Sequence, residues 1–235
     1  NVQDGDTSRN RFTPYVVAAL TADARQGTTK AIANADVIYD GRTDESSYEL
    51  RELFVQFNLA SRLYFTVGKQ VLAWGRCMLW NPTDLVNAEK LHFTEQIGSR
   101  EGAGGLKLHI PFGTRVNLYG FASTEGADDL TGVKGAGKIE FTAGGTEAAL
   151  SAFGRDGEYP VAGADISTRL GPIDVRGEAA YHHRDRYDRV LETAGMLTTE
   201  RDERRFVRAA LNLGKSFDLL EKPDRLSVNL EGYYN

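Results

Sequence analysis

The feature that most constrains the fold is an alternation of apolar and polar residues with a period of two, which recurs along most of the chain. In the stretch Leu226–Tyr233, leucine, valine, leucine and glycine alternate with serine, asparagine, glutamate and tyrosine. Successive side chains of a β-strand point to opposite faces, so this period predicts strands with one apolar and one polar face. No segment carries a comparable helical period, and we therefore predict an all-β protein.

The alternation divides the chain into about twelve predicted strands. They span residues 12–24, 31–40, 49–60, 63–74, 103–112, 115–124, 134–142, 146–155, 159–170, 173–184, 204–215 and 225–234. Short turns such as Gly144-Gly145 alternate with longer polar links such as 185–203, which predicts an antiparallel, up-and-down order. The link 217–224 is the exception, because a short turn is expected there and the link is long.

Two architectures place apolar and polar residues on alternate sides of each strand. A soluble sandwich buries the apolar face, whereas an outer-membrane barrel turns that face to lipid and its polar face to the lumen. Strand lengths near ten residues and the alternation of short and long links favour the barrel. We therefore predict an antiparallel up-and-down transmembrane β-barrel, in which twelve strands would enclose a narrow pore.

The composition is consistent with this choice. The longest clean apolar run, Pro14–Leu20, is far below the roughly 18 residues of a transmembrane helix, whereas a transmembrane strand needs only about ten. The chain has 28 Lys plus Arg and 33 Asp plus Glu, giving a formal net charge of −5. This acidic balance argues against a nucleic-acid partner.

The polar face of the predicted strands carries charges of both signs close together. We predict that ten of these residues line the pore: Lys138, Glu140, Asp165, Arg169, Asp174, Arg176, Glu178, Arg208, Asn229 and Glu231. Opposite charges across a narrow aqueous pore orient charged or dipolar solutes and so contribute to selectivity. The alternative is that the same charges form cross-strand ion pairs that hold neighbouring strands together.

Part of the first half of the chain resembles a known sequence pattern. Val67–Gly75 contains GKQ and ends in WG, and Trp80–Asn87 contains NPTD. This order is similar to a GKQ…WG…NPTD pattern of Gram-negative outer-membrane porin-like proteins, and the similarity extends over Leu50–Phe112. It implies a bacterial outer-membrane location. Because known relatives are mostly longer, we expect residues 1–235 to form a single β-barrel domain that is incomplete at one or both ends.

The longest link, residues 76–101, is predicted to fold into the lumen and narrow it. The residues that we expect at this constriction are Asn81, Asp84, Glu89 and Lys90. Asn81 as a cap and Pro82 at the first helical position predict a short helix from Asn81 to about Lys90. The alternative is a capped turn that closes an outer loop.

The two tryptophans, Trp74 and Trp80, have two interpretations. They could stack against solutes, as aromatic residues do in sugar channels. Alternatively, they could belong to the aromatic girdle at the membrane interface, where an amphipathic ring lies at the level of the headgroups.

The histidines and serines do not form a recognisable chemical motif. His182 and His183 are adjacent on a predicted strand and should point to opposite faces, and neither His92 nor His109 has a Cys or His at ligand spacing. We therefore predict no metal site, no cofactor and no enzymatic activity.

These observations favour a channel that lets small hydrophilic solutes diffuse through a charged lumen narrowed by the 76–101 loop. The expected partners are outer-membrane lipid, lipopolysaccharide and the solutes, with a homo-oligomer or a partner protein left open. The alternative function is a barrel scaffold or conduit that houses or docks a protein in a secretion or electron-transfer assembly.

Overall fold

A computed structural model describes residues 14–86, 102–127, 132–184, 188–193, 196–201, 204–219 and 222–235. These residues form fourteen β-strands: β1 (Tyr15–Gln26), β2 (Thr29–Asp40), β3 (Glu45–Leu59), β4 (Leu63–Gln70), β5 (Ala103–Phe112), β6 (Val116–Ser123), β7 (Lys134–Ala143), β8 (Thr146–Arg155), β9 (Val161–Leu170), β10 (Ile173–His182), β11 (Asp188–Thr193), β12 (Met196–Arg201), β13 (Phe206–Leu219) and β14 (Lys222–Tyr234). Among these residues no helix is long and apolar enough to span a membrane.

Twelve of the strands form one sheet in which each strand pairs antiparallel with the next strand along the chain. The order is β1-β2-β3-β4-β5-β6-β7-β8-β9-β10-β13-β14, and β1 and β14 are its two edges. The prediction of an all-β, up-and-down sheet of twelve strands is therefore confirmed, although the sheet is open. The remaining strands, β11 and β12, form a separate hairpin within the link predicted to be a solvated loop.

The links alternate in length around the sheet. One end carries turns of two or three residues, and the other end carries the longer links. The predicted exception at 217–224 is wrong, because β13 continues to Leu219, which pairs with Lys222 and leaves only two residues between the strands. The register shifts between Phe217 and Leu219, and such an irregularity breaks the period of two from which the strand end was predicted.

One face of the sheet, here called the outer face, is apolar and uncovered. Leu150 in β8 is 58% exposed and Leu230 in β14 is 71% exposed. The described strands make extensive contacts only with their hydrogen-bonded neighbours, so no second sheet packs on this face. The soluble sandwich, which needs a second layer over these side chains, is therefore wrong.

The opposite face, here called the inner face, is partly covered by the chain itself. Residues 71–86, which follow β4 and are here called the inner segment, cross this face and contact strands as distant as β14. Polar and charged side chains of the inner face are buried beneath or beside them, including Lys138, Asp165 and Glu178. This is the reverse of a water-soluble protein, in which charged side chains are rarely buried and apolar ones fill the core.

The period of two places Lys69 on the apolar face, and a β-bulge at the neighbouring Gly68 would turn this lysine inward. The register of β4 with both of its neighbours continues through Gly68 and Lys69 without a shift. Lys69 pairs with Leu53, so it keeps its place on the outer face, one residue before the end of β4. The bulge in this part of the sheet instead lies between Asn34 and Ala35 of β2.

Candidate functional site

The inner segment leaves the sheet at Val71, whose backbone N–H donates to a Glu52 carboxylate oxygen at 3.0 Å. The prediction that the fourth strand continues to residue 74 is therefore wrong. The alternation does continue, because Leu72 and Trp74 are buried while Val71 and Ala73 are exposed. The apolar positions that suggested a strand pack instead against the inner face of other strands.

A small apolar cluster packs both ends of the inner segment against the sheet. Leu72, Trp74 and Val86 from the segment pack with Ala103, Phe121 and Phe153 from β5, β6 and β8. Trp74 retains only 4% of its exposure. This cluster is the hydrophobic contact that brings the chain onto an otherwise polar surface.

Arg76 is the cation at the centre of the inner segment. Its Nη2 donates to the Glu140 carboxylate at 2.6 Å, and its Nη1 and Nε donate to Glu147 and Asp165. These carboxylates come from β7, β8 and β9, so one guanidinium joins three adjacent strands. Its planar fork of donors allows this, whereas the point charge of a lysine would not.

Lys138 adds a second cation beneath the same part of the segment. Its ammonium donates to the Trp74 carbonyl at 2.7 Å and pairs with Asp165 at 3.2 Å. Asp165 therefore lies between two cations and is fully buried. A buried charge is stable only when it is paired in this way.

Glu178 of β10 anchors the middle of the segment through backbone and side-chain donors. Its Oε1 accepts from the backbone N–H groups of Arg76 and Cys77 and from Asn81 Nδ2 at 2.9 Å. Its Oε2 accepts from Thr83 Oγ1 at 2.7 Å. One carboxylate thus satisfies backbone N–H groups that a non-helical segment would otherwise leave without partners.

Glu231 of β14 plays the same part for the far end of the segment. Its carboxylate accepts from the backbone N–H groups of Met78, Leu79 and Trp80 at 2.9, 2.9 and 2.7 Å. Asn212 of β13 donates to it at 3.0 Å. Three successive N–H groups directed at one carboxylate form an anion-binding nest that fixes the backbone at residues 78–80.

Two glycines permit the close approach of the segment to the sheet. A Cβ on Gly75 would lie 2.8 Å from the carboxylate oxygens of Glu178 and from Asn81 Nδ2. A Cβ on Gly163 of β9 would lie 3.0 Å from the methyl group of Thr83. Any side chain at Gly75 would therefore displace the hydrogen bonds at Glu178.

The surroundings of the segment shift the acidity of two of its side chains. Burial raises the pKa of the Cys77 thiol to about 12, and the negative charges of Glu178 and Glu231 act in the same direction. Burial lowers the pKa of the Arg76 guanidinium, but the hydrogen bond and charge of Asp165 outweigh it, so the net pKa is raised. Both groups therefore keep one protonation state at neutral pH.

Two adjoining recesses of about 170 and 360 Å³ lie beside the segment. Both are lined by Ala73, Tyr119, Lys138 and Glu140, and the larger one also by Arg76, Ser167 and Arg176. The inner segment therefore covers part of the inner face and leaves polar space next to it.

All ten residues predicted to line a pore lie on the inner face by strand register. Five of them contact the inner segment through their side chains: Lys138, Glu140, Asp165, Glu178 and Glu231. Among the ten, the structure brings these five together as the anchors of one segment.

The other five predicted residues lie on the same face without a side-chain contact to the segment in the described part of the chain. Arg169 and Asp174 form their own ion pair at 2.7 Å, and Arg208 donates to Asn235 at 2.9 Å. Arg176 lines the larger recess, and Asn229 is exposed. For Arg169 and Asp174 the interpretation as a cross-strand ion pair therefore holds.

The predicted constriction residues have different outcomes. Asn81 lies within the segment, where its side chain donates to the Cys77 carbonyl and to Glu178. Asp84 is half-buried in a turn in which its backbone N–H donates to the Asn81 carbonyl at 3.0 Å. Glu89 and Lys90 lie outside the described residues. The predicted helix does not begin at Asn81, because its side chain is engaged by Glu178 and residues 82–83 form a turn.

Sequence reasoning missed the residues that matter most to the segment, namely Arg76, Glu147 and Thr83. The sequence contained a signal for the missing cation. The middle of the polar face carries Glu140, Asp165 and Glu178 but only one lysine, Lys138, so these carboxylates require another cation. An aromatic girdle would place the tryptophans on the lipid-facing side of the sheet. Both instead lie in the inner segment against the inner face, Trp74 in the apolar cluster and Trp80 against Tyr233, so the girdle interpretation is wrong. His182 ends β10 and is buried, whereas His183 lies in the bend that follows, with its ring 4.6 Å from that of Tyr159. Among the described residues no cluster of three or more His, Cys, Asp or Glu could hold a metal.

An up-and-down antiparallel sheet with an uncovered apolar face, a charged inner face and a segment folded against that inner face has the architecture of a transmembrane β-barrel wall. A solved structure shares this fold. The chain is similar to Pseudomonas aeruginosa OccD3 (OpdP), with a TM-score of 0.50 and 11% identity over 88% of this chain and 50% of that one.

Pseudomonas aeruginosa OpdL also matches, with a TM-score of 0.45 and 13% identity over 85% of this chain and 54% of that one. The chain thus spans about half the length of the solved structures that it matches. No family model matches the chain, and no curated protein matches it in sequence.

Proposed function

We propose that this chain forms part of the wall of a bacterial outer-membrane channel that passes small hydrophilic solutes. The observation that carries the proposal is the inverted polarity of the sheet. Leu150 and Leu230 are exposed on the uncovered outer face, while Asp165 and Glu178 are buried at the inner face. Exposed leucines over a whole sheet face are stable in hydrocarbon and unfavourable in water.

The inner segment is the element that narrows the proposed pore. The segment crosses the inner face where Arg76 binds its three carboxylates, Glu140, Glu147 and Asp165. Polar recesses remain beside the segment. A solute would pass groups of both signs, including Arg176 and Glu140, so its charge and dipole would affect its passage. Lipid and lipopolysaccharide are the proposed partners of the outer face.

The first experiment tests the outer face. In a lipid-facing sheet, Leu150→Arg adds a charge that costs roughly 2–4 kcal/mol at mid-bilayer, so the variant should lose folding into vesicles and heat-modifiable gel migration. Leu150→Met is the matched control and should fold normally. A Leu150→Arg variant that folds in water, without detergent, would overturn the membrane location.

The second experiment tests conduction. The full chain, refolded in detergent and reconstituted into planar bilayers, should give stable single-channel steps whose size scales with salt concentration. A folded, membrane-inserted protein without such steps would overturn the channel. If that protein co-purified with a partner protein, the conduit function would replace it.

A further inference from the structure

The far end of the inner segment presents an aromatic surface that the narrowing role does not use. The rings of Trp80 and Tyr233 stack at 5.8 Å between centroids with an interplanar angle of 18°. Trp80 is 41% exposed, Tyr233 is 40% exposed, and the neighbouring Met78 is 41% exposed. Tyr233 lies on the inner face and Trp80 stacks on it, so both exposed rings border the polar side of the sheet, where exposed apolar surface is unfavourable unless a ligand covers it.

The rings are held rigidly in this exposed position. Glu231 accepts hydrogen bonds from the backbone N–H groups of Met78, Leu79 and Trp80, and Asn212 in turn donates to Glu231. Tyr233 belongs to the same strand as Glu231 and points to the same face. A surface whose backbone is fixed in this way loses little conformational entropy when a ligand binds.

The other tryptophan provides an internal contrast. Trp74 lies in the same segment but is buried in the cluster with Leu72 and Phe121. The segment therefore contains one tryptophan that stabilises its packing and a second whose ring remains accessible. Packing alone does not explain the second.

We infer that Trp80 and Tyr233 form a binding platform for the pyranose ring of a sugar, within the channel proposed above and resting on that proposal. The apolar C–H face of a pyranose matches an aromatic ring, while its hydroxyl groups need polar partners at the edge of the ring. The inner face supplies such groups beside the platform: Glu231 lies two residues before Tyr233 on the same strand face, and Arg208 donates to Asn235 two residues after it. This mixture suits a hydroxylated ring better than a wholly apolar one.

Intrinsic fluorescence tests the inference without requiring conduction. The chain contains two tryptophans, and only Trp80 is accessible. In the full chain in detergent micelles, maltotriose should cause a saturable change in tryptophan emission and protect part of the emission from acrylamide quenching. Because Trp80→Leu removes the reporting ring, its binding is measured by equilibrium dialysis with labelled maltotriose: Trp80→Leu should abolish binding, and Trp80→Phe should retain it.

The outcomes separate this inference from the channel itself. Maltotriose binding that depends on Trp80 supports the platform whether or not the protein conducts. A conducting channel that shows no saturable change with maltotriose would overturn the platform and leave the channel intact. Saturable binding of benzoate but not of maltotriose, or binding unaffected by Trp80→Leu and Tyr233→Leu, would also overturn it.

Discussion

The inner faces of β1–β3 and of β7–β14 follow the same alternation in sequence, yet their charges are used differently. In the first region the ion pairs are local: Lys30 lies 3.2 Å from Asp23, and Arg51 lies 3.0 Å from Asp36 on the adjacent strand. Glu52 in addition accepts a hydrogen bond from the Val71 backbone N–H, where the inner segment begins. In the second region, carboxylates such as Glu178 and Glu231 turn toward the inner segment, which lies about a hundred or more residues away in sequence.

The difference shows that a polar face in such a sheet can do two things. Ion pairs between neighbouring strands support the wall; the Lys30–Asp23 pair is partly exposed and contributes little, whereas the Arg51–Asp36 pair is largely buried. Carboxylates that accept backbone N–H groups of a re-entrant segment fix its path, and each has several partners. We refer below to β1–β3 as the locally paired region and to β7–β14 as the anchoring region.

The largest expected effect concerns Cys77, the single cysteine of the chain. Its pKa of about 12, against an ordinary value of 9.0, lowers the thiolate fraction at pH 7 by about 1,000-fold. Maleimide should label Cys77 more slowly, by at least this factor, than it labels a reference variant that carries Thr21→Cys and Cys77→Ser. Position 21 is exposed in the locally paired region. Equal labelling rates would contradict the burial of the segment.

The sign of the pH dependence follows from the same shift. The folded state favours the neutral thiol. The contribution of Cys77 to the free energy of unfolding is therefore fully present below pH 9 and is lost as the pH rises toward 12. Labelling should therefore accelerate with pH well above pH 9, where the Thr21→Cys reference has already levelled off.

The next effect concerns the anchor Glu178. Glu178→Ala leaves the backbone N–H groups of Arg76 and Cys77 and the side chain of Thr83 without their acceptor, at a cost of about 1–3 kcal/mol for each buried donor. The segment should detach, and Cys77 labelling should rise about tenfold or more, since tenfold corresponds to about 1.4 kcal/mol.

Glu49→Ala in the locally paired region is the matched control, because the Glu49 carboxylate lies 3.9 Å from Arg51 of its own strand. It should leave the labelling of Cys77 unchanged. If both variants accelerate labelling equally, the distinction between the two regions fails.

How much of this could be predicted from sequence depends on the range of the contacts. The alternation is local, so it predicted the sheet and correctly assigned residues such as Glu178 and Leu230 to opposite faces. The longest link was predicted to fold inward, but its anchors could not be predicted, because the hydrogen bonds of residues 74–83 to the sheet join residues 64 to 153 positions apart. The alternation through Leu72 and Trp74 is also compatible with a strand, and only the aromatic cluster across the inner face determines where these side chains pack.

A smaller effect is expected from the cation of the anchoring region. Arg76→Ala removes the partner of Glu140, Glu147 and Asp165, which should increase the single-channel conductance by about twofold and shift selectivity toward cations. Conductance and reversal potential in a salt gradient measure both. Arg76→Lys keeps the charge but cannot reach three carboxylates, so its conductance and reversal potential should lie between those of the unmodified protein and of Arg76→Ala. A conductance unchanged in Arg76→Ala would remove the segment from the conduction path.

The smallest effect is expected in the locally paired region, and it completes the comparison. Asp23 of the exposed edge strand β1 pairs with Arg25 of the same strand and with Lys30 of β2. Water screens these charges. Asp23→Ala should change neither conductance nor Cys77 labelling, because no contact of Asp23 reaches the inner segment within the described residues. If Asp23→Ala altered selectivity as strongly as Arg76→Ala, the field of the pore would come from the whole inner face, and the anchoring region would have no separate role.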